Sequence, residues 1–463
     1  MAAPKLSSFK CPTCSAPMQV RPDVSDLTCN YCGNSVHVER DKAAFTRMGA
    51  SRGNTVYVNP NAGKQLVWII VLTTVLPILI PIGIGVAALG KSLVGSRVMS
   101  LPATCDANEE MTISGKTFDG KGPVIIAGIN CKITIKDSHL KSDIVVKGGQ
   151  NLELKIINST LEGSDAAIDL EEVNTKIDIS EKSEIKGKDA IRATNHNLEM
   201  TVKDSKIVGV DNGIIAKQGF KMKATNVEIS GKVTAVDSGD NPELELHQVK
   251  ITSAGTAVTA NNNLKIEADG SSIDGGEVAV HAKYNFKGNL KKKSSIVSKK
   301  GIAVEADSNV EITLDDSTLD GGEVALRGPS NLHLKVAKKS RVHATGTAVE
   351  GDSNPEVTVD DGIIEGGDVA VTSKVNGKIK VVKGGRITAA KIAIDGKQNL
   401  EIDVQGGTID SPGVAIAGTF NTQVRLKKGT VTGGTAAFAF DRKPNVLDVS
   451  PDSVVTGAQK IGK

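Results

Sequence analysis

Residues 393–411 read AIDGKQNLEIDVQGGTIDS: three short runs alternate apolar and polar residues, broken at Gly396–Asn399 and at Gly406-Gly407. Period-two alternation with Gly, Asn and Asp punctuation predicts strands joined by tight turns, and runs this short leave no room for a helix. The unit recurs. A small residue followed by a larger apolar one stands at Ala167-Ile168, Ala190-Ile191, Gly213-Ile214, Ala235-Val236, Ala257-Val258 and Ala279-Val280. It continues at Ala303-Val304, Ala325-Leu326, Ala348-Val349, Ala370-Val371, Ala393-Ile394, Ala415-Ile416 and Ala437-Phe438, in steps of 22 to 24 residues. Three strands per step describe one triangular coil, and stacked coils pair in parallel about 4.8 Å apart. Less regular coils from about residue 111 bring the expected total to about fifteen, a rod of about 70 Å at that spacing.

Asn recurs just before the second strand: Asn151, Asn174, Asn197, Asn241, Asn263, Asn309, Asn331, Asn354, Asn376, Asn399 and Asn421. Asn tolerates left-handed backbone, and stacked amides can bond along a ladder. With these features, residues from about 105 to 460 resemble the right-handed parallel β-helix, or pectate-lyase-like, superfamily in architecture. Right-handed crossover is also the general default between parallel strands. The fold class expected is therefore mainly β, a right-handed parallel β-helix solenoid of 22–23-residue coils occupying 105–463.

A second period overlies the first. IDGGEVAV at 273, LDGGEVAL at 319, IEGGDVAV at 364 and IDSPGVAI at 409 repeat every two coils. Charge follows it: 310–323 holds only acids, 333–343 only bases apart from its histidines, 356–368 acids and 378–391 bases. Like charges stacked at coil spacing would repel, so alternation turns repulsion into cross-coil ion pairs and penalises a one-coil slip. A charged binding face is the competing account. Alternation also cancels the long-range field along the rod, which weighs against an acidic polysaccharide track.

Composition agrees. Aromatics make up 3% of the chain, too few for a two-layer core built on ring bulk, whereas stacked aliphatic residues fill a solenoid. A net charge of +3 gives no global field for nucleic acid.

The first 38 residues differ in kind. FKCPTCSAPMQVRPDVSDLTCNYCGNSVHV carries two CxxC pairs, Cys11/Cys14 and Cys29/Cys32, each followed by a short strand-like run. Two such turns aim four thiolates at one tetrahedral point, and the segment resembles the zinc-ribbon family. The resemblance implies one Zn2+ on Cys11, Cys14, Cys29 and Cys32. Four thiolates leave no open position for catalysis, so the metal's expected role is to replace a core too small to form. Two redox-active CxxC motifs are the other reading. Only Lys5, Lys10 and Arg21 are basic among residues 1–35, too few for a nucleic-acid face.

Residues 39–64 read as a flexible linker, 65–90 as one transmembrane helix and 91–104 as a juxtamembrane linker. LVWIIVLTTVLPILIPIGIGVAALG, Leu66 to Gly90, has no charge; as a helix it would run about 37 Å, enough for a hydrocarbon core of about 30 Å. Trp68 sits near one end, and Pro77 and Pro81 would kink the helix. Arg40, Lys42, Arg47, Arg52 and Lys64 precede the span, against Lys91 and Arg97 after it. Positive-inside bias therefore places the ribbon in the cytoplasm and the β-helix outside it, periplasmic or extracellular. The cysteines divide the same way: Cys105 and Cys131, beyond the span, suit a disulfide, with two buried thiols as the alternative.

No nucleophile elbow, phosphate loop or HExxH motif occurs. The acidic pairs Asp315-Asp316 and Asp360-Asp361 recur with the repeat, where a catalytic cluster would stand apart from it. His139, His196, His247, His281, His333 and His343 are scattered singly and read as surface or turn residues. The DGGE stretches do not match the GGxGxD calcium repeat. The expectation is a non-enzymatic, membrane-anchored rod acting in adhesion, envelope scaffolding or display. Its β-helix would meet a protein or polysaccharide partner, and the ribbon would dock a cytosolic protein. A polysaccharide-binding or -cleaving β-helix is the first alternative. A cytoplasmic, membrane-tethered polymer of the bactofilin kind is the second, although its coils are shorter than these.

Overall fold

The computed structural model describes residues 8–10, 17–19, 26–28, 35–37 and 100–462. The chain divides into two units, Met1–Gly95 and Ser96–Lys463. In the second, a parallel β-solenoid of about 16 turns runs from residue 103 to 461, slightly longer than the fifteen coils expected. Its strands form one 41-stranded sheet wound about a single axis.

One coil shows why these residues fold so. Ile392–Gln398 forms the first face, Glu401–Gln405 the second and Thr408–Ser411 the third. Each pairs in parallel with its equivalent one coil on: Ile392 with Val414, Glu401 with Gln423, Thr408 with Thr430. Alternation sends Ile402, Val404 and Ile409 inward, all fully buried, while Glu401, Asp403 and Asp410 point out. The first face departs from strict alternation, because Ala393 and Ile394 are both buried. Alanine fits where the third face bends into the first and a larger side chain would not. Burying each Ile contributes about 1.5–3 kcal/mol, an upper figure given residual denatured-state burial.

Four phenylalanines, Phe220, Phe286, Phe438 and Phe440, enter this aliphatic core. Phe286 is accommodated by Gly288, which stands in register between Ile266 and Ile312. A Cβ on Gly288 would lie 3.0 Å from the Phe286 ring, so the ring fills the space of the missing side chain.

In the first unit, Ser8–Lys10 pairs antiparallel with Pro17–Gln19, and Asp26–Thr28 with Ser35–His37. Among the described residues no helix is long and apolar enough to cross a membrane. The span expected at 65–90 and both linkers up to residue 99 lie outside the described residues.

Candidate functional site

The corner between the first and second faces is built from Asn. Asn151, Asn174, Asn197, Asn241, Asn263, Asn309, Asn331, Asn354, Asn376, Asn399 and Asn421 all adopt positive φ, from 52° to 63°. Except at Asn241, each Nδ2 donates to the Oδ1 of the Asn one coil below, as in Asn354 to Asn331 at 3.1 Å and Asn376 to Asn354 at 2.9 Å. The ladder also holds Asn108, Asn130, Asn285 and Asn445, which a 21–24-residue spacing could have located. It breaks at Gly219, between Asn197 and Asn241, which keeps the left-handed backbone (φ 65°) without the amide.

A second ladder escaped sequence reasoning. At the corner between the second and third faces, Ser138, Ser159, Ser183, Ser205, Ser271, Ser294, Ser317 and Ser340 are buried. Except at Ser205 and Ser317, their hydroxyls accept from backbone N–H groups one coil below, as Ser159 Oγ does from Ser138 at 3.1 Å and Ser340 Oγ from Ser317 at 3.1 Å. The sequence signal was Ser immediately before the third strand, in KDSHL, DDSTL and KKSRV.

Charges on the second face stack in one outward row. Glu110, Lys132, Glu153, Lys176, Glu199, Lys221, Glu243 and Lys265 are register partners in turn. Lys287, Glu311, His333, Glu356, Lys378 and Glu401 continue it. Its one like-charged step is Lys265 against Lys287, and the two part: Lys265 bonds Glu267 in its own coil at 2.8 Å, Lys287 reaches up to Glu311 at 2.8 Å. Cross-coil contacts elsewhere include Lys338–Asp315 at 2.6 Å, Arg341–Glu365 at 2.5 Å and Arg386–Asp410 at 2.9 Å. Of the basic stretch 333–343, Lys335 stands between Thr313 and Thr358 and has no ion pair among the described residues.

Between this row and the Asn ladder runs a shallow groove. One section, about 600 Å³, is lined by Asn241, Asn263, Asn285, Asn309 and the charged row beside them. The next, about 650 Å³, continues through Asn354, Asn376, Asn399 and Asn421, and both share Asn331 and His333.

Among the described residues, the acidic pairs of the repeat do not converge as an acid–base pair would. Asp315 and Asp360 sit in cross-coil ion pairs with Lys338 and Lys383. His281, His333 and His343 face Glu305, Glu356 and Asp320 at 3.3, 3.1 and 2.7 Å. His139 and His247 are exposed, and the side chain of His196 lies outside the described residues. The densest cluster is Asp165, Asp169 and Asp189 around Arg192, at 2.9, 3.0 and 3.5 Å. Hydrogen bonding to Arg192 holds the Asp165 carboxyl below its usual range, and the bonds to Asp169 and Asp165 keep the guanidinium charged. Burial pushes Asp237 and Asp274 up. Asp237 lies on the first face between Ile215 and Thr259, whereas Asp274 lies on the third between Thr252 and Val297, so they serve no common site.

At the start of the solenoid the sulfurs of Cys105 and Cys131 meet at 2.22 Å, with their Cα atoms 6.2 Å apart, and both residues are fully buried. In the first unit, the two antiparallel strand pairs flank, in sequence, residues 11–16 and 29–34, which carry Cys11/Cys14 and Cys29/Cys32. Those four cysteines lie outside the described residues. Among the described residues no group of three or more His, Cys, Asp or Glu could hold a metal. No known protein family, curated protein or solved structure matches the chain.

Proposed function

We propose that this chain is a membrane-anchored, non-enzymatic β-helix rod displayed outside the cytoplasm, with a structural zinc ribbon on the cytoplasmic side. One observation carries the non-enzymatic part. The exposed carboxylates are distributed with the repeat, many of them in coil-to-coil ion pairs, and the two raised by burial stand on different faces. The anchor rests on the uncharged run from Leu66 to Gly90, and the orientation on the excess of bases before it. Antiparallel strand pairs flanking each CxxC segment in sequence support Zn2+ on Cys11, Cys14, Cys29 and Cys32, and the closeness of Cys105 and Cys131 supports a disulfide in an oxidising compartment.

The Asn-ladder groove favours a second reading, a linear polysaccharide lying along the rod, because exposed amides keep a free N–H and lone pair each. One experiment separates the main reading from a cytoplasmic polymer. A tag near residue 450 should react with an impermeant label in intact cells, while a tag at residue 5 should react only after lysis. The reverse pattern would put the rod in the cytoplasm. Metal analysis of the purified chain should return one zinc per chain, and a content near zero would remove the ribbon.

A further inference from the structure

At the corner between the second and third faces the chain passes through a left-handed residue coil after coil. That backbone disfavours L residues other than Asn, and Gly escapes the penalty. Asn158, Asn226, Gly270, Gly384 and Gly406 follow this rule, while Asp137, Lys182, Asp204, Gln248 and Lys428 depart from it in runs of no more than two coils. Between Gly270 and Gly384, successive coils instead place Lys293, Asp316, Lys339 and Asp361 there, at φ of 65°, 51°, 64° and 56°. All four are exposed.

Their immediate neighbours already serve the stacking of coils, through Lys292–Asp269 at 2.7 Å, Lys338–Asp315 at 2.6 Å and Lys383–Asp360 at 3.5 Å. Among the described residues the four outer side chains make no ion pair. Lower coils use the corner differently: Asp137 and Asp204 accept from Asn158 and Asn226, each at 2.7 Å. What remains is a rigid column of alternating sign, one charge per coil about 4.8 Å apart, kept in a disfavoured conformation and unused within the chain.

We propose that this column is the contact surface for a second copy of the chain, packed antiparallel along it. An alternating column of even length is its own complement about a two-fold axis through its midpoint, here between Asp316 and Lys339. The axis sets Asp316 against Lys339 of the partner subunit and Lys293 against Asp361 of the partner subunit, so every charge meets its opposite. A parallel copy shifted by one coil leaves the end charges unmatched. A polymer of single sign meets repulsion at every second coil.

The full-length chain in detergent should sediment as a dimer at low salt, dissociating as salt screens the exposed charges. Asp316→Lys alone and Lys339→Asp alone each bring like charges together twice across the axis, and each should raise the dissociation constant at least roughly tenfold. A one-to-one mixture of the two variants restores both contacts and should regain the wild-type value. A chain carrying Lys293→Cys alone, mixed with one carrying Asp361→Cys alone, should form a cross-linked heterodimer while neither cross-links to itself, which only the antiparallel arrangement allows. If a reversed chain melts early, Asp316→Asn with Lys339→Gln replaces it and must still weaken the dimer. A wild-type chain that stays monomeric, reversals without effect on the dimer, or a mixture that fails to recover would each overturn the proposal.

Discussion

Where each second-face strand begins, the chain repeats one residue coil after coil; where it ends, it changes sign from one coil to the next. Asn309, Asn331, Asn354, Asn376 and Asn399 stand at the first corner, and Lys293, Asp316, Lys339 and Asp361 at the second. The difference follows from what each side chain carries. An amide holds a donor and an acceptor, so identical residues bond head to tail without limit, as Asn399 does to Asn376 at 2.8 Å. A charge has one sign and can stack only on its opposite. Neutral corners therefore tolerate any register that keeps Asn over Asn, whereas the outward rows and the ion pairs beside the charged corner, such as Lys338–Asp315, distinguish a coil from its neighbour. The comparison assigns turn geometry to the ladder and register to the charges.

Reversing one basic coil is the hardest test of that division. With Lys335, Lys338, Lys339 and Arg341 all changed to Glu, Lys338–Asp315 and Arg341–Glu365 become repulsions between acidic coils on both sides. Exposed pairs are individually weak, so the combined loss is roughly 2–4 kcal/mol. The unfolding midpoint should fall and high salt should partly restore it. A midpoint that stays put while cell-surface localisation or binding is lost would assign the charges to function and remove the register argument.

Cutting the ladder should do less. Asn376 donates to Asn354 and accepts from Asn399, and it holds φ at 56°. Asn376→Ala removes both exposed bonds and places an ordinary L residue in left-handed backbone, a loss of roughly 1–2 kcal/mol in thermal or denaturant unfolding. Salt should not change that loss, in contrast to the coil reversal. A salt-dependent loss would mean that the two corners are not separate devices.

The sequence made some of this legible and hid the rest for physical reasons. The 22–24-residue step and the buried pairs from Ala167-Ile168 onward were readable because core burial imposes a strict period. Asn at the first corner was readable because few residues accept its backbone. The serines at Ser138, Ser159, Ser183 and Ser340 were not, since Ser before a strand is ordinary turn composition and its burial is seen only once coils stack. Charge alternation was visible from about 265 to 428, where whole coils carry one sign. Between Glu110 and Lys221 each coil mixes signs, and the alternating row emerges only when register brings Glu153 over Lys132 and Lys176 over Glu153. The thiols of Cys105 and Cys131 lie 26 residues apart in sequence and meet because one coil separates them.

Completing the ladder should give the smallest effect and the sharpest reading of the neutral corner. Gly219 interrupts it between Asn197 and Asn241 with φ already at 65°, close to the values Asn adopts elsewhere along the ladder. A Cβ built there would lie 2.5 Å from Asn197 Oδ1, so the Asn197 amide must move. That atom is the end of a side chain, and the move brings it to where a new amide at this position would donate. Gly219→Asn therefore adds two amide contacts, one to Asn197 and one from Asn241, and removes the glycine's excess freedom from the unfolded chain. Against this stands the mild left-handed preference of Gly over Asn. The net gain should be under about 1 kcal/mol. Gly219→Ala meets the same crowding and the same backbone with no amide to offer, so it should lower the midpoint. Gly219→Asp can accept from Asn241 but cannot donate to Asn197, and should fall between the two. A midpoint order of Asn, Asp, Ala ties the stability of this corner to its amides; equal midpoints for Asn and Ala would show that only backbone conformation matters there.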